Sequence, residues 1–207
     1  IAFINLAKQQ EKIRDKIDTA IAKVLDHGTY IMGPEVKEFE NNIAQYTGAK
    51  HAISCSSGTD ALSMALMALG VKAGDGILVP SFTFAATAET VALLGAIPVF
   101  VDVTKDTFNM CVADIARAID EATSKGLSVK GIIPVDLFGQ PADYQAIDAI
   151  AEKHNMWVLS DAAQSLGASI DGKQVGTFGI CTATSFFPAK PLGCYGDGGC
   201  IFTDNDE

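Results

Sequence analysis

Arginine is nearly missing from this chain: there are two, Arg14 and Arg117, in 207 residues whose formal net charge is −10. Nucleic acids and anionic membrane surfaces are held by clustered Lys and Arg, so neither is expected as a partner. Histidine is almost as scarce, and His27, His51 and His154 lie far apart, which leaves little material for a zinc site; no metal is expected. The five cysteines, at 55, 111, 181, 194 and 200, are odd in number and form no C-x-x-C pair. Buried free thiols in a reducing compartment are the economical reading. No apolar run approaches the length of a membrane span, and no charged-then-apolar leader opens the chain, so a soluble, cytoplasmic protein is expected. A G-x-x-x-x-G-K-[ST] loop is absent, and no G-x-G-x-x-G follows a strand, so the NTPase and dinucleotide readings lose their main support.

What is present is a globular balance, 48% hydrophobic and 19% charged, in a chain long enough for one well-buried domain. Residues 8–26 carry a helical stripe of Ile13, Ile17, Ala20, Ile21, Val24 and Leu25, with Gly28 as its stop. Gly33-Pro34 opens a second helix, with Val36, Phe39, Ile43 and Tyr46 as its expected buried face and Gly48 at its end. The G-T-Y-I-M-G loop between them (28–33) reads equally as a plain connection or as part of a site.

From residue 50 short apolar runs alternate with helical segments. Seven strands are predicted: Ala52–Cys55, Ile77–Val79, Ile97–Val101, Gly131–Val135, Trp157–Ser160, Thr182–Phe187 and Gly199–Phe202. The alternation implies right-handed crossovers and a mainly parallel α/β sheet with helices on both faces. Only a glycine-rich loop joins the last two strands, too short for a helical crossover, so the seventh is expected to be antiparallel. No repeats or low-complexity linkers mark an internal boundary.

Ligands of open α/β sheets sit beyond the carboxyl ends of the strands, and the candidates follow strand ends. S-S-G-T-D-A-L (56–62) opens a helix whose free N–H groups attract a phosphate, with Gly58 allowing close approach; an ordinary N-cap by Thr59 or Ser57 is the alternative. P-S-F-T-F-A-A-T (80–87) places Phe82 and Phe84 at alternating positions, so one ring faces the packing and the other the crevice, where it could stack on a flat cofactor. Asp161 follows four largely apolar residues, costly unless paired. It reads either as a helix cap or as the partner of a ring nitrogen kept protonated, with Gln164 nearby. Ser185 and Lys190 close the sixth strand, and Lys190 sits between Pro188 and Pro191, which stiffen the backbone around it. A free lysine with pKa near ~10.4 is a nucleophilic amine in only about one molecule in a few thousand at neutral pH. Burial or condensation with an aldehyde removes that handicap. Phosphate cradle, aromatic face, ring-nitrogen carboxylate and reactive lysine are together what pyridoxal 5′-phosphate needs.

The motifs Y-I-M-G-P-E-V (30–36), S-S-G-T-D-A-L (56–62), V-P-S-F-T-F-A-A-T-A-E-T (79–90), D-A-A-Q-S-L-G-A (161–168) and S-F-F-P-A-K-P-L-G-C-Y-G-D-G-G (185–199) resemble those of the DegT/StrS sugar-nucleotide aminotransferases. The resemblance runs over essentially the whole chain. It implies the large domain of the fold-type I pyridoxal-phosphate enzymes over residues 49–207, preceded by a helical segment, 1–48, with a smaller C-terminal domain absent. It implies that Lys190 carries the cofactor, Asp161 holds the ring nitrogen, and Gln164 bonds the ring oxygen. By the same resemblance Phe84 stacks on the ring, while Gly58, Thr59, Asp60 (mainly through backbone N–H) and Ser185 hold the phosphate. The F-F-P-x-K-P-L-G-C-Y-G-D-G-G run looks most like the members that aminate C3 of UDP-2-acetamido-2-deoxy-3-oxo-glucuronate for lipopolysaccharide O-antigen, with L-glutamate as donor. It further implies a homodimer with a shared active site, and cationic substrate contacts outside this chain, since neither arginine lies in a motif. Two other readings stand beside it: transamination of another keto-sugar nucleotide, and a non-catalytic relative that only binds sugar nucleotide. The family's dehydratases, which have His in place of the lysine, are disfavoured by Lys190.

Overall fold

The structure, a computed structural model, describes residues 4–207. Three helices come first: α1 (Leu6–Glu11), α2 (Arg14–His27) and α3 (Pro34–Thr47). The single stripe expected over residues 8–26 is broken at Lys12–Ile13, and neither α1 nor α2 buries a residue. Leu25 and Ile21 stand exposed. Helix α3 begins as its Gly-Pro start requires, with Gly33 extended and Pro34 in the first turn. It buries Ile43, but Tyr46, expected on the buried face, is 60% exposed. Tyr46 shares a helix face with Phe39 and Ile43 but, in the last turn of α3, stays outside the cluster that those two form with Phe186, Cys200 and Phe202.

The remaining chain runs β1 (His51–Cys55), α4 (Gly58–Ala68), β2 (Asp75–Pro80), α5 (Ala86–Leu93), β3 (Ile97–Val101), α6 (Val112–Ser124), β4 (Ser128–Ile132), α7 (Tyr144–Lys153) and β5 (Trp157–Asp161). A two-stranded ribbon, β6 (Ser169–Ile170) and β7 (Lys173–Gln174), precedes β8 (Cys181–Ser185) and β9 (Gly199–Thr203). Seven strands form one sheet in the order β1-β9-β8-β5-β4-β2-β3. Strand β9 runs antiparallel to both of its neighbours, and the other strand pairs are parallel. The reversal expected from the short β8–β9 connection is therefore observed.

Strands β2 and β5 carry apolar side chains on both sides and divide them with period two, as a doubly covered sheet requires. In β2, Leu78 joins the core under α6 and α7, where Ile115, Ile119, Ile132 and Ile147 lie. Its neighbours Ile77 and Val79 face the opposite core, with Leu62 and Leu66 of α4 and Val91 of α5. Strand β5 repeats the division, Val158 to the first core and Leu159 to the second.

Two boundaries differ from expectation. The ladder of β4 ends at Ile132, three residues before Val135, which keeps only an isolated bridge to Asp161. Strand β8 stops at Ser185, because Phe186 turns to accept and donate backbone bonds within the following loop. The β6–β7 ribbon was not anticipated, although Asp171-Gly172, at φ 50° and 80°, is the kind of turn that favours a hairpin. The five cysteines are unpaired, as expected. Cys181 and Cys200 are buried, and burial pushes both thiols up to about 12. Among the described residues no helix is long and apolar enough to cross a membrane, and no group of His, Cys, Asp and Glu could hold a metal ion.

Candidate active site

Beyond the carboxyl ends of β1, β2, β4, β5 and β8 lies a cavity of ≈ 880 Å³. Of the residues singled out from the sequence, Gly58, Thr59, Phe84, Asp161, Gln164, Ser185 and Lys190 line it. Asp60 does not. Its backbone N–H donates to the N-cap hydroxyl of Ser57 at 3.0 Å, and its carboxylate accepts from Ser56 and from Ser57 at 2.9 Å. Both halves of Asp60 are thus committed to building the helix start. Those hydrogen bonds hold its carboxyl below the usual carboxylate range.

The start of α4 is consequently well defined. Ala61 N–H returns to the Ser57 carbonyl at 3.0 Å, so the N–H groups of Gly58 and Thr59 are the two left without an acceptor among the described residues. A helix start with two free donors is a ready anion site. Gly58 is obligatory for a steric reason: a Cβ there would stand 2.6 Å from Ser185 Cβ. The hydroxyl of Ser185 is brought beside the same two donors by that close approach.

The lysine loop between β8 and β9 is tied down by its own backbone. Phe186 N–H bonds the Gly198 carbonyl at 2.7 Å, Cys194 N–H the Phe186 carbonyl at 2.8 Å, and Lys190 N–H the Phe187 carbonyl at 2.8 Å. Gly193 crosses so near Pro188 that a Cβ would lie 2.3 Å from its carbonyl oxygen. Lys190 is half-buried at the cavity wall.

Opposite stands Asp161, 5% exposed. Its Oδ2 accepts from the Thr87 hydroxyl at 2.9 Å and its Oδ1 from the Ala163 N–H at 3.2 Å. Burial pushes its carboxyl above the usual range, while those two donors and the positive charge of Lys190 pull it back. Gln164 is oriented by a contact the sequence did not suggest: Phe138 N–H donates to its Oε1 at 2.7 Å. The amide NH₂ of Gln164 therefore remains as the donor available to a ligand. Phe138 holds φ 58°, uncommon for a bulky residue, at the turn after β4.

The Phe82/Phe84 alternative is resolved by position. Phe84 lines the cavity and is 70% exposed, whereas Phe82 leaves it to pack on Phe108 at 5.5 Å between ring centroids. Beside Asp161 along the backbone is a residue that no sequence motif marks, Asp136, fully buried in the segment after β4.

A parallel sheet with one reversed strand carrying the chain back past a lysine loop is the fold of pyridoxal-phosphate-dependent sugar aminotransferases of known structure. The chain belongs to the DegT/DnrJ/EryC1/StrS aminotransferase family, whose model matches residues 11–207. It is 55% identical over all 207 residues to the UDP-2-acetamido-2-deoxy-3-oxo-D-glucuronate aminotransferase of Pseudomonas aeruginosa, 56% of which it covers. The crystal structure of a family aminotransferase from Brucella abortus superposes with a TM-score of 0.97 at 52% identity, over 100% of this chain and 56% of that one. NtdA of Bacillus subtilis, solved with the cofactor PMP bound, superposes with a TM-score of 0.89 at 33% identity, over 100% of this chain and 45% of that one. The chain thus spans about half the length of the curated relatives it matches.

Proposed function

We propose that this chain supplies the cofactor-binding part of a pyridoxal-phosphate-dependent aminotransferase that moves the amino group of L-glutamate to a keto-sugar nucleotide. The substrate assigned is UDP-2-acetamido-2-deoxy-3-oxo-glucuronate, on the 55% identity to the P. aeruginosa enzyme of that name. Residues 49–207 are read as the cofactor domain and 1–48 as a helical segment before it. The working unit is read as a homodimer with a shared site, in the cytoplasm.

The observation that carries the reading is the division of polar character around one cavity. Two unpaired helix N–H groups and the Ser185 hydroxyl lie at one end, and a buried carboxylate lies deep in the wall. A flat phosphate ester with a basic ring nitrogen fits this arrangement, its phosphate on Gly58, Thr59 and Ser185 and its ring nitrogen toward Asp161. Phe84 would cover a ring face, and the NH₂ of Gln164 would meet the ring oxygen. Lys190 would hold the aldehyde carbon.

When bound, the cofactor supplies an electron sink for the pair left when a proton departs the carbon bearing the amino group. The chain's own residues do the rest. With the cofactor held there, Lys190 Nζ would serve as the base toward the α-carbon proton of the amino donor and then as the acid that returns a proton to the former aldehyde carbon, with the two roles exchanged when the sugar is aminated. Asp161, buried and held by its two donors, would pair with the ring nitrogen and favour its protonated form when negative charge develops. Thr87 and Ala163 N–H hold that carboxylate in place.

The test is to purify the full-length protein that contains this chain, load it with pyridoxal phosphate, and add L-glutamate and then a panel of keto-sugar nucleotides. Bleaching of the visible cofactor band by glutamate, and its return with a UDP-linked 3-keto uronate, is the expected result. A colourless protein that binds UDP-sugars would replace the enzyme by a binding module.

A further inference from the structure

Asp136 is 0% exposed, and three donors from two other parts of the chain meet its carboxylate. Its Oδ1 accepts from the Ala142 N–H at 2.9 Å and from the Tyr144 hydroxyl at 2.7 Å; its Oδ2 accepts from the Ser165 hydroxyl at 2.7 Å. Tyr144, with its one proton given to Asp136, is left to accept from Ser160, 2.5 Å away on β5. The main chain repeats the linkage: Asp136 N–H donates to the Asp161 carbonyl at 3.0 Å, and Asp161 N–H to the Pro134 carbonyl at 2.9 Å. Two residues on, Phe138 N–H fixes the Gln164 amide. One buried carboxylate thus joins the segment after β4, the start of α7 and the Asp161–Ser165 turn.

We propose that Asp136 is a positioning residue for the reaction: through Ser165 and the backbone bonds to Asp161 it sets where Asp161 and Gln164 point. The inference rests on the reading of the pocket given above. A carboxylate suits this joint because its two oxygens accept from three donors at once, whereas an amide offers one accepting oxygen and a donor NH₂. Burial leads in raising the Asp136 carboxyl to about 6, and the charge of Asp161 adds to it.

Two variants of the full-length protein test the joint from its two ends. Asp136→Asn keeps the size and replaces one accepting oxygen by a donor NH₂; Ser165→Ala cuts one tie and leaves the carboxylate. In the cofactor-free protein, hydrogen exchange at the Phe138 amide should accelerate roughly tenfold in both variants. In the loaded enzyme, both should lower kcat roughly tenfold with little change in KM, as expected for a group misplaced in the transition state. Unchanged Phe138 exchange in Ser165→Ala overturns the positioning, as does unchanged kcat. The exchange measurement needs no cofactor, so a protein that binds no pyridoxal phosphate would fail the proposed function while still deciding the role of Asp136. Should Asp136→Asn not fold, the Ser165→Ala measurements decide the positioning role.

Discussion

Replacing Gly58 by alanine tests the phosphate cradle through the sign of the effect. Gly58 is the first residue of α4 and its φ is not in the left-handed region. On backbone grounds alone, alanine at such a site stabilises by about 0.4–1 kcal/mol, mainly by restricting the unfolded chain. The structure predicts the reverse. The new Cβ would stand 2.6 Å from Ser185 Cβ and 3.2 Å from Ser185 Cα. The obstacle is the root of a side chain on a central strand, which has no rotamer to escape into. Overpacking of that kind costs about 1–3 kcal/mol. Relief requires α4 to withdraw from β8, which carries the N–H groups of Gly58 and Thr59 away from the Ser185 hydroxyl. Denaturant unfolding of Gly58→Ala should therefore show a lower midpoint at unchanged slope. Affinity for pyridoxal phosphate, followed by its absorbance on titration, should fall about ten- to a hundredfold, the equivalent of one or two charge-assisted hydrogen bonds. A variant that is more stable than the parent and binds the cofactor as well would refute both the contact and the cradle.

Lys190→Ala should abolish multiple turnover while the cradle still retains cofactor; residual turnover measured with excess glutamate and keto-sugar would sink the assignment of Lys190. Asp161→Asn should lower kcat by about 10²–10⁴-fold with a melting temperature near that of the parent, and near-normal rates would reduce the carboxylate to a structural group. Phe84→Ala removes a ring face worth about 1 kcal/mol, so cofactor affinity should weaken roughly fivefold, read by the same absorbance titration; no change would place the ring stack elsewhere. Asp136 is raised in the fold from 3.8 to about 6, so its contribution to stability is complete below pH 3.8 and is lost as pH rises to about 6. That loss amounts to about 3 kcal/mol. Cofactor-free Asp136→Asn should lose the decline over that window, and urea midpoints that fall as steeply as in the parent would contradict the burial argument.

The parts of the site that were legible in the sequence are those whose chemistry is local in the chain. Lys190 stood out because prolines flank it and glycines follow, and those residues act on the backbone where they sit. The reversal of β9 was legible for a similar reason: the connection from β8 is too short for a crossover, and connection length is read directly. Gly58 and Thr59 were marked by a strand giving way to a helix. Asp60 shows the limit of that signal. It sits in the same motif, yet its carboxylate and N–H turn back to Ser56 and Ser57, and only hydrogen-bond bookkeeping distinguishes a group that faces a ligand from one that builds the loop.

Asp136 lies beyond that limit because its partners do. In V-D-L-F-G it reads as an ordinary turn residue after a strand, and Asp143, seven residues on, is the one that caps α7. What makes Asp136 unusual is burial among donors from Ala142, Tyr144 and Ser165, and that juxtaposition exists only once β4, β5 and α7 are stacked. Tyr46 fails in the opposite direction. Its helical period predicted burial on the face of Phe39 and Ile43, but it sits in the last turn of α3, outside the cluster those residues join, and the ring stays at the surface. Sequence patterns report what a segment could bury, and the tertiary arrangement decides how much of it meets a partner. For a buried charge the consequence is sharper than for an exposed ring. An apolar residue left outside forgoes about 1.5–3 kcal/mol, whereas a carboxylate enclosed without its donors would cost more than the fold can spare. The donors around Asp136 and Asp161 are therefore as necessary to the site as the carboxylates themselves, and substitutions at Thr87, Tyr144 and Ser165 should be read as substitutions in the site.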